Sequence, residues 1–284
     1  MVSESYLRED LAVEGGVIDN SASALLDWAQ AVADGAAPED IYRNKEGRKT
    51  LRFQLGKQSW FLKLHTGVGW PEIFKNLVQG RLPVLGASNE YRAVEALRGV
   101  GVDTMCVAAY ARKGRNPARQ RSMIVTDDLV GTVSLEDYCA DWGSEPPPFA
   151  TRLKIIRKLA DSAGRMHRAG INHRDFYLCH FHLEETTLDD ASPRCYLIDL
   201  HRAQLRQQTP RRWQVKDLAG LYFSAMDCGI TRRDLLRFIA HYSDGGLRRA
   251  TGQDAGLWRD VARRAQRLYF RENGCEPPAI PGVI

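Results

Sequence analysis

Polar and apolar positions change period along the chain, and the changes divide it. Within residues 41–64 they alternate in twos, in three runs at 41–43, 50–55 and 59–64, separated by 44–49 and by Gly56, Lys57 and Gln58. Such alternation broken by glycine-bearing turns predicts a three-stranded antiparallel meander. Residues 21–32 have helical character, with Asn20 or Ser21 as cap, and residues 1–40 otherwise carry no assigned role. A helix is predicted over 88–98, ended by Gly99, and two further strands over 102–111 and 121–126. Downstream the helical period dominates. Ile156, Leu159, Ala163 and Met166 mark a long helix over 149–168, closed by Gly170. A short helix precedes it at 134–139, and helices follow over 214–226, 231–243 and 254–272, before a proline-rich tail. The pattern predicts an α+β chain with its strands early and its helices late.

One stretch resists this division. Residues 66–87 hold Trp70, Ile73, Phe74, Leu77, Val78, Leu82, Val84 and Leu85, more apolar surface than a plain connection needs. Packing against the fold is expected there, with an acceptor-docking loop or a membrane-touching element as alternatives.

Composition narrows the class. The 284 residues are 44% hydrophobic and 26% charged, as in ordinary globular proteins. No apolar run approaches the ~20 residues of a membrane-spanning helix, and the N-terminus lacks a signal-peptide pattern, so an intracellular protein is expected. The six cysteines form no Cys-x-x-Cys pair, which argues for reduced thiols rather than a zinc ribbon or disulfide framework. A net charge of +5, with arginine-rich segments at 112–121, 202–212 and 260–271, favours anionic partners: nucleotide phosphates, anionic lipid or an acidic protein. No nucleic-acid-binding motif accompanies the charge, and no nucleic-acid partner is expected.

Candidate chemistry centres on the stretch from Ile171 to Leu183. Asp175 follows His173 and Arg174, His180 stands five positions later, and Asp199 closes an apolar run further on. This is the spacing of phosphoryl-transfer catalysis in the protein-kinase fold. Such a reaction needs a base for the acceptor hydroxyl, cations on the phosphates and carboxylates for the metal. Asp175 would be the base and Asp199 a Mg²⁺ ligand. His180 occupies the second ligand position, yet Mg²⁺ prefers oxygen, so its imidazole would act through water or orient Asp175. Lys63 lies between Leu62 and Leu64 on the third meander strand and faces away from them. Solvent or a partner carboxylate would explain it. Glu90, Val94 and Leu97 share a helical stripe, which makes Glu90 the inward partner and Glu95 the solvent-facing alternative. The first meander turn, with Gly47, would lie over phosphates in a kinase, although taken alone an ordinary hairpin explains it better. Residues Asp127, Asp128 and Leu129 would meet the adenine through their backbone.

Together the segments Lys45-Glu-Gly-Arg-Lys-Thr-Leu-Arg-Phe53, Phe61-Leu-Lys-Leu-His65, Asn89-Glu-Tyr-Arg92, His173-Arg-Asp-Phe-Tyr-Leu-Cys-His180 and Ile198-Asp-Leu-His-Arg202 resemble the kinase-fold glycan kinases, most closely the lipopolysaccharide core heptose kinases of Gram-negative bacteria. The resemblance implies a two-lobed protein-kinase-like fold, with a small β-rich N-lobe over 1–126, a hinge at 127–131 and a mostly helical C-lobe over 132–284. It implies transfer from ATP, with Mg²⁺, to a heptose hydroxyl of the inner core, by a cytoplasmic enzyme peripheral to the inner membrane. It makes Lys63 the phosphate-contacting lysine, Glu90 its partner and Asp217 the buried brace of the catalytic loop.

Leu200 and His201 stand where a protein kinase has Phe-Gly, His180 replaces Asn, and the glycine-rich loop is thin. Asp217 follows Asp199 by only eighteen positions, which leaves no room for a long activation segment and argues for a glycan rather than a protein acceptor. A 3-deoxy-octulosonic acid kinase and a protein-tyrosine or serine kinase of the same fold are the alternatives. His173, His180, His182 and His201 raise a metal-dependent hydrolase, with His180 and His182 on one strand face, but that leaves Lys63 and Glu90 unused. A catalytically silent scaffold is the remaining alternative.

Overall fold

A computed structural model describes residues 3–45, 47–78 and 84–279. The chain divides into two units, one of Met1–Glu95 and Met105–Leu129, the other of Ala96–Thr104 and Val130–Ile284.

In the first unit the meander forms as β2 (Ile41–Lys45), β3 (Arg48–Leu55) and β4 (Gln58–His65), inside a six-stranded sheet. Its other strands are β1 (Ser3–Leu7), β5 (Val107–Lys113) and β6 (Arg121–Asp127), and the order is β1-β5-β6-β4-β3-β2 with every pair antiparallel. The sequence pattern gave no sign of β1, whose alternation is weak and whose residues are half-exposed or exposed. After the six-residue α1 (Glu9–Glu14) comes α2 (Ala22–Asp34), capped by Ser21 through the Ala24 N–H. Leu25, Leu26, Ala29 and Ala33 of α2 bury against Leu51, Trp60, Leu62, Leu64, Met123 and Val125 of the sheet. Each leucine so buried contributes about 1.5–3 kcal/mol. Residues 3–40 are therefore a structural part of this unit, supplying an edge strand and a core helix.

Helix α3 (Gly69–Val78) occupies part of the long apolar connection, and α4 (Ser88–Gly99) follows. Packing accounts for Ile73 alone among the named residues of α3: Trp70, Phe74, Leu77 and Val78 are exposed. Leu82 lies outside the described residues.

The second unit is mainly helical. It contains α5 (Leu135–Tyr138), α6 (Phe149–Arg168), α7 (Arg211–Ala225), α8 (Arg232–Tyr242), α9 (Gly246–Thr251) and α10 (Ala255–Asn273). A three-stranded sheet of β7 (Thr132–Ser134), β9 (Phe181–Glu184) and β10 (Cys195–Leu197) accompanies them, as does a two-residue pair of β8 (Ile171–Asn172) with β11 (Gln204–Leu205). The predicted stripe of α6 is buried, and Arg152 on the same helix pairs with Asp234 at 2.7 Å. On α10 the aromatic residues turn inward, Tyr269 buried and Trp258 against Tyr242, while Arg263, Arg264 and Arg267 face outward.

Candidate active site

In the first unit Lys63 and Glu90 are brought together. Lys63, on β4, pairs in register with Thr50 and Ile124. Its Nζ donates to Glu90 Oε1 at 2.5 Å, with the glutamate side chain 1% exposed. Glu95 is exposed. A buried carboxylate demands such a cation, and the pair in turn fixes the ammonium on the strand. Glu90 Oε2 is buried without a hydrogen-bond partner.

Gly47 has φ +69°, and a Cβ there would meet the Gly67 carbonyl oxygen at 2.3 Å. Its own carbonyl accepts the Thr66 N–H at 2.8 Å. Packing of the hairpin against the Thr66–Gly67 backbone therefore suffices to require glycine here. Asp127 and Asp128 carry side-chain tasks of their own: Asp127 pairs with Arg8 at 2.6 Å, and Asp128 Oδ2 accepts from Arg52 Nε and Ser59 Oγ, both at 2.7 Å. Their N–H groups bond the Cys106 and Ser59 carbonyls. The unit boundary falls immediately after Leu129.

The second unit holds the aspartates. Between β8 and a 3₁₀ turn at Leu178–His180, the chain crosses Arg174 with φ +79°. Such a conformation costs a non-glycine residue of order 1–3 kcal/mol and needs support. Asp217 of α7 supplies it. Buried to 1% exposure, its Oδ2 accepts the His173 N–H at 2.7 Å and its Oδ1 the Arg174 N–H at 2.8 Å. Asp175 is thereby presented half-buried, and Arg202 Nη1 donates to both its carboxylate oxygens at 3.0 Å.

Asp199 is the only other non-glycine residue with positive φ among the described residues, at +59°. Its Oδ1 bonds His201 Nδ1 at 2.5 Å, and His180 Nε2 lies 3.8 Å from Oδ2. His180 Nδ1 bonds the Asp175 carbonyl at 2.6 Å, and its ring stacks on His173. Burial lowers the His180 pKa, but hydrogen bonds to Cys179 and the Asp175 carbonyl, with the Asp199 charge, outweigh it and lift the group to about 9. An imidazole so placed fastens the Asp175 and Asp199 segments to each other. His173 differs: burial holds it below its ordinary value, and it bonds the Ile198 carbonyl at 2.9 Å.

His180 and His182 do not share a strand face. His180 ends the 3₁₀ turn and only His182 lies on β9, bonded to Thr132 Oγ1. Among the described residues no three His, Cys, Asp or Glu side chains converge into a metal-binding group. The arrangement a zinc hydrolase would need is therefore missing from this cluster.

Two parts of the site had no sequence signal of their own. The Arg202 clamp on Asp175 joins positions 27 apart, and in the sequence Arg202 is only the end of a motif and the start of an arginine-rich run. The indole of Trp213, around which several cations gather, was not singled out at all. Elsewhere in this unit an apolar cavity of about 530 Å³ is lined by Ile156, Leu159, Leu221, Leu235, Ile239 and Trp258 among others.

A strand lysine clamped by a buried helix glutamate, and an aspartate loop braced from the following helix, define a phosphotransferase of the protein-kinase-like class. The chain belongs to the lipopolysaccharide kinase (Kdo/WaaP) family, whose model matches residues 35–242. It is 48% identical over 235 residues to the lipopolysaccharide core heptose(I) kinase WaaP of Pseudomonas aeruginosa, covering 82% of this chain and 87% of that one. It is 46% identical over 234 residues to the Escherichia coli protein of the same description, covering 82% and 88%. A solved structure of WaaP in complex with acyl carrier protein matches with a TM-score of 0.77 and 39% identity, over 94% of this chain and 99% of that one. The chain is thus a lipopolysaccharide kinase, for which ATP is the donor. Among the described residues no helix is long and apolar enough to cross a membrane.

Proposed function

We propose that this kinase moves the γ-phosphoryl group of ATP to a heptose hydroxyl of the lipopolysaccharide inner core, with Asp175 as the base. The observation that carries the reading is the Asp175 loop, held in a strained backbone by Asp217. Asp175 takes the proton as the acceptor oxygen forms its bond to phosphorus and the bond to the ADP oxygen breaks. Positioned proton transfer of this kind contributes typically 10²–10⁴-fold. In the first unit Lys63, fixed by Glu90, would neutralise the α- and β-phosphates, the turn at Gly47 would cover them, and Asp127, Asp128 and Leu129 would present backbone to the adenine.

The donor set fits Mg²⁺, which takes one or two carboxylates and completes its shell with water and phosphate oxygens. Asp199 would hold it, and when bound it supplies charge neutralisation to the transferring group. His180, bonded to the Asp175 carbonyl, would act as a positioning residue or reach the ion through water.

The test is phosphate transfer from radiolabelled ATP to inner-core oligosaccharide from a strain lacking the activity. Wild type labels a heptose, and Asp175→Ala and Asp199→Ala abolish transfer. Labelling of the 3-deoxy-octulosonic acid residue, or of protein alone, would replace the acceptor with one of the alternatives.

Two partners follow from the surface. The exposed Trp70, Phe74, Leu77 and Val78 of α3 would lie on the membrane that carries the acceptor, as amphipathic helices do. The solved relative's acyl carrier protein suggests an acidic partner for this chain too. The exposed Arg263, Arg264 and Arg267 offer complementary charge, and the apolar cavity offers room for an acyl chain. Vesicle flotation with Phe74→Asp, and co-purification with Arg264→Glu, test the two contacts separately.

A further inference from the structure

Beside Asp175 the second unit gathers more positive charge than it balances. Four cations surround the indole of Trp213: Arg174 at 5.2 Å from the ring centroid, Arg212 at 5.4 Å, Lys216 at 5.7 Å and Arg206 at 5.8 Å. One or two cations on an indole are ordinary, each contributing about 0.5–1 kcal/mol at an exposed site. Four repel one another, and the nearby carboxylates of Asp175 and Asp217 offset them only in part. Among the described residues none of the four has a carboxylate within ion-pair distance. The nearest carboxylates are otherwise engaged, Asp175 by Arg202 and Asp217 by the two backbone N–H groups.

Arg206 is held by neutral partners instead, Nη1 to Asn172 Oδ1 at 2.5 Å and Nη2 to Gln204 Oε1 at 2.6 Å. These bonds orient the guanidinium without consuming its charge. Arg174 Nε and Trp213 Nε1 are buried with no hydrogen-bond partner. Arg212 and Trp213 lie in the first turn of α7, which carries no acidic residue and no side-chain cap, so the positive end of the helix dipole adds to the cluster. Burial, together with neighbouring arginines, holds Arg174 and Lys216 below their ordinary values against the opposing pull of Asp175 and Asp217. Asp175 and Arg174 are adjacent in the chain, which ties the cluster to the base.

We infer that Trp213 with Arg174, Arg206, Arg212 and Lys216 is a recognition site for a negatively charged group on the acceptor, a sugar carboxylate or a phosphate monoester. The inference rests on the glycan-kinase reading and specifies what its acceptor must carry near the reacting hydroxyl. The planar guanidinium forks suit either group, and the indole gives a sugar ring an apolar face on which to rest.

The experiment uses the full chain with Mg·ATP and three forms of one inner-core acceptor: untreated, carboxyl-reduced and phosphatase-treated. The comparison variant is Arg206→Gln with Lys216→Gln. The expected result is a KM for the untreated acceptor raised about tenfold or more, the size of one lost charge-assisted contact. The KM for ATP should stay unchanged. In the wild type, removing the recognised group raises KM by a similar factor, and on that treated acceptor the variant loses nothing further. Carboxyl reduction acting alone identifies a carboxylate, and phosphatase acting alone identifies a phosphate. Equal loss of the variant on all three acceptors, or a wild type indifferent to both treatments, would overturn the inference while leaving the heptose reading intact.

If the wild type phosphorylates no glycan, the heptose reading fails and binding decides the site by itself. The Trp213 indole N–H resonance, assigned with Trp213→Phe, is followed during titration with inorganic phosphate and with gluconate. A saturable shift, weakened about tenfold in the double variant, supports an anion site. An unmoved resonance overturns it.

Discussion

Asp217→Asn keeps the shape of a buried side chain and removes its charge. The carboxylate accepts two backbone N–H groups at 2.7 and 2.8 Å, one on each oxygen. An amide has a single acceptor oxygen, so either His173 or Arg174 must turn its N–H toward an NH₂ group. Losing one hydrogen bond to a charged acceptor costs about 1.5–3 kcal/mol, and a buried donor without a partner costs about 1–3 kcal/mol more. The total, about 2.5–6 kcal/mol, lowers Tm by roughly 5–24 °C in a protein of this size. The kinetic effect comes from the backbone. Arg174 at φ +79° loses the group that holds it there, so Asp175 leaves its aligned position and kcat falls on the order of 10²-fold. Thermal unfolding followed by circular dichroism, with phosphoryl transfer measured well below both Tm values, reads the two effects separately. A variant within 2 °C and threefold of the wild type would refute the reasoning.

Lys63→Met should abolish transfer and also destabilise, by about 3–5 kcal/mol, because Glu90 is left buried and unpaired. Adding Glu90→Leu should restore much of the Tm but none of the activity, measurable by melting and phosphate transfer on the same samples. Gly220→Ala places a Cβ 2.9 Å from the Phe176 carbonyl oxygen, which pushes α7 off the Asp175 loop. A loss of about 1–3 kcal/mol in urea unfolding and a reduced kcat are expected. Burial lowers His173 in the folded protein, so below about pH 6.5 the unfolded chain takes up a proton there that the fold does not. His180, lifted to about 9, works in the opposite sense, so the His173 contribution is read by difference: the urea midpoint of the wild type relative to His173→Gln should be lower at pH 5.5 than at 7.5. Burial raises the Cys195 thiol to about 12 and Cys228 to about 11, so at pH 7.5 a maleimide should label exposed Cys275 first and those two only after unfolding.

Local signals were legible wherever one residue and its immediate neighbours decided the outcome. The meander followed from alternation, α6 from its apolar stripe, and the Lys63–Glu90 pair from a lysine inside an apolar strand and a glutamate on an inward helical stripe. Contacts that join distant positions left no comparable mark. β1 is a strand because Ser3 to Leu7 pair with β5, over a hundred residues away, and its own pattern is weak. Arg202 and Trp213 lie in a run of arginines that charge alone presents as a solvated surface. Gly47 shows the opposite failure: a glycine in a suggestive turn whose conformation the neighbouring Gly67 backbone already explains. The exposed face of α3 was hidden because exposed and core apolar residues look alike without knowledge of what covers them.

Helix α7 presents Trp213, Lys216, Asp217 and Gly220 along a single face, at the three- and four-residue steps that bring side chains into line. One rod thus bears the aspartate that braces the loop, the glycine that lets the loop lie close, and two members of the cation cluster. A substitution that tilts α7 to suit a new acceptor also drags the base out of line. Divergence in acceptor preference would then proceed through positions off this face, Arg206 on the preceding segment and Arg212 at the exposed helix start. Those two sites are where a search for altered selectivity should begin, with Trp213, Asp217 and Gly220 held constant.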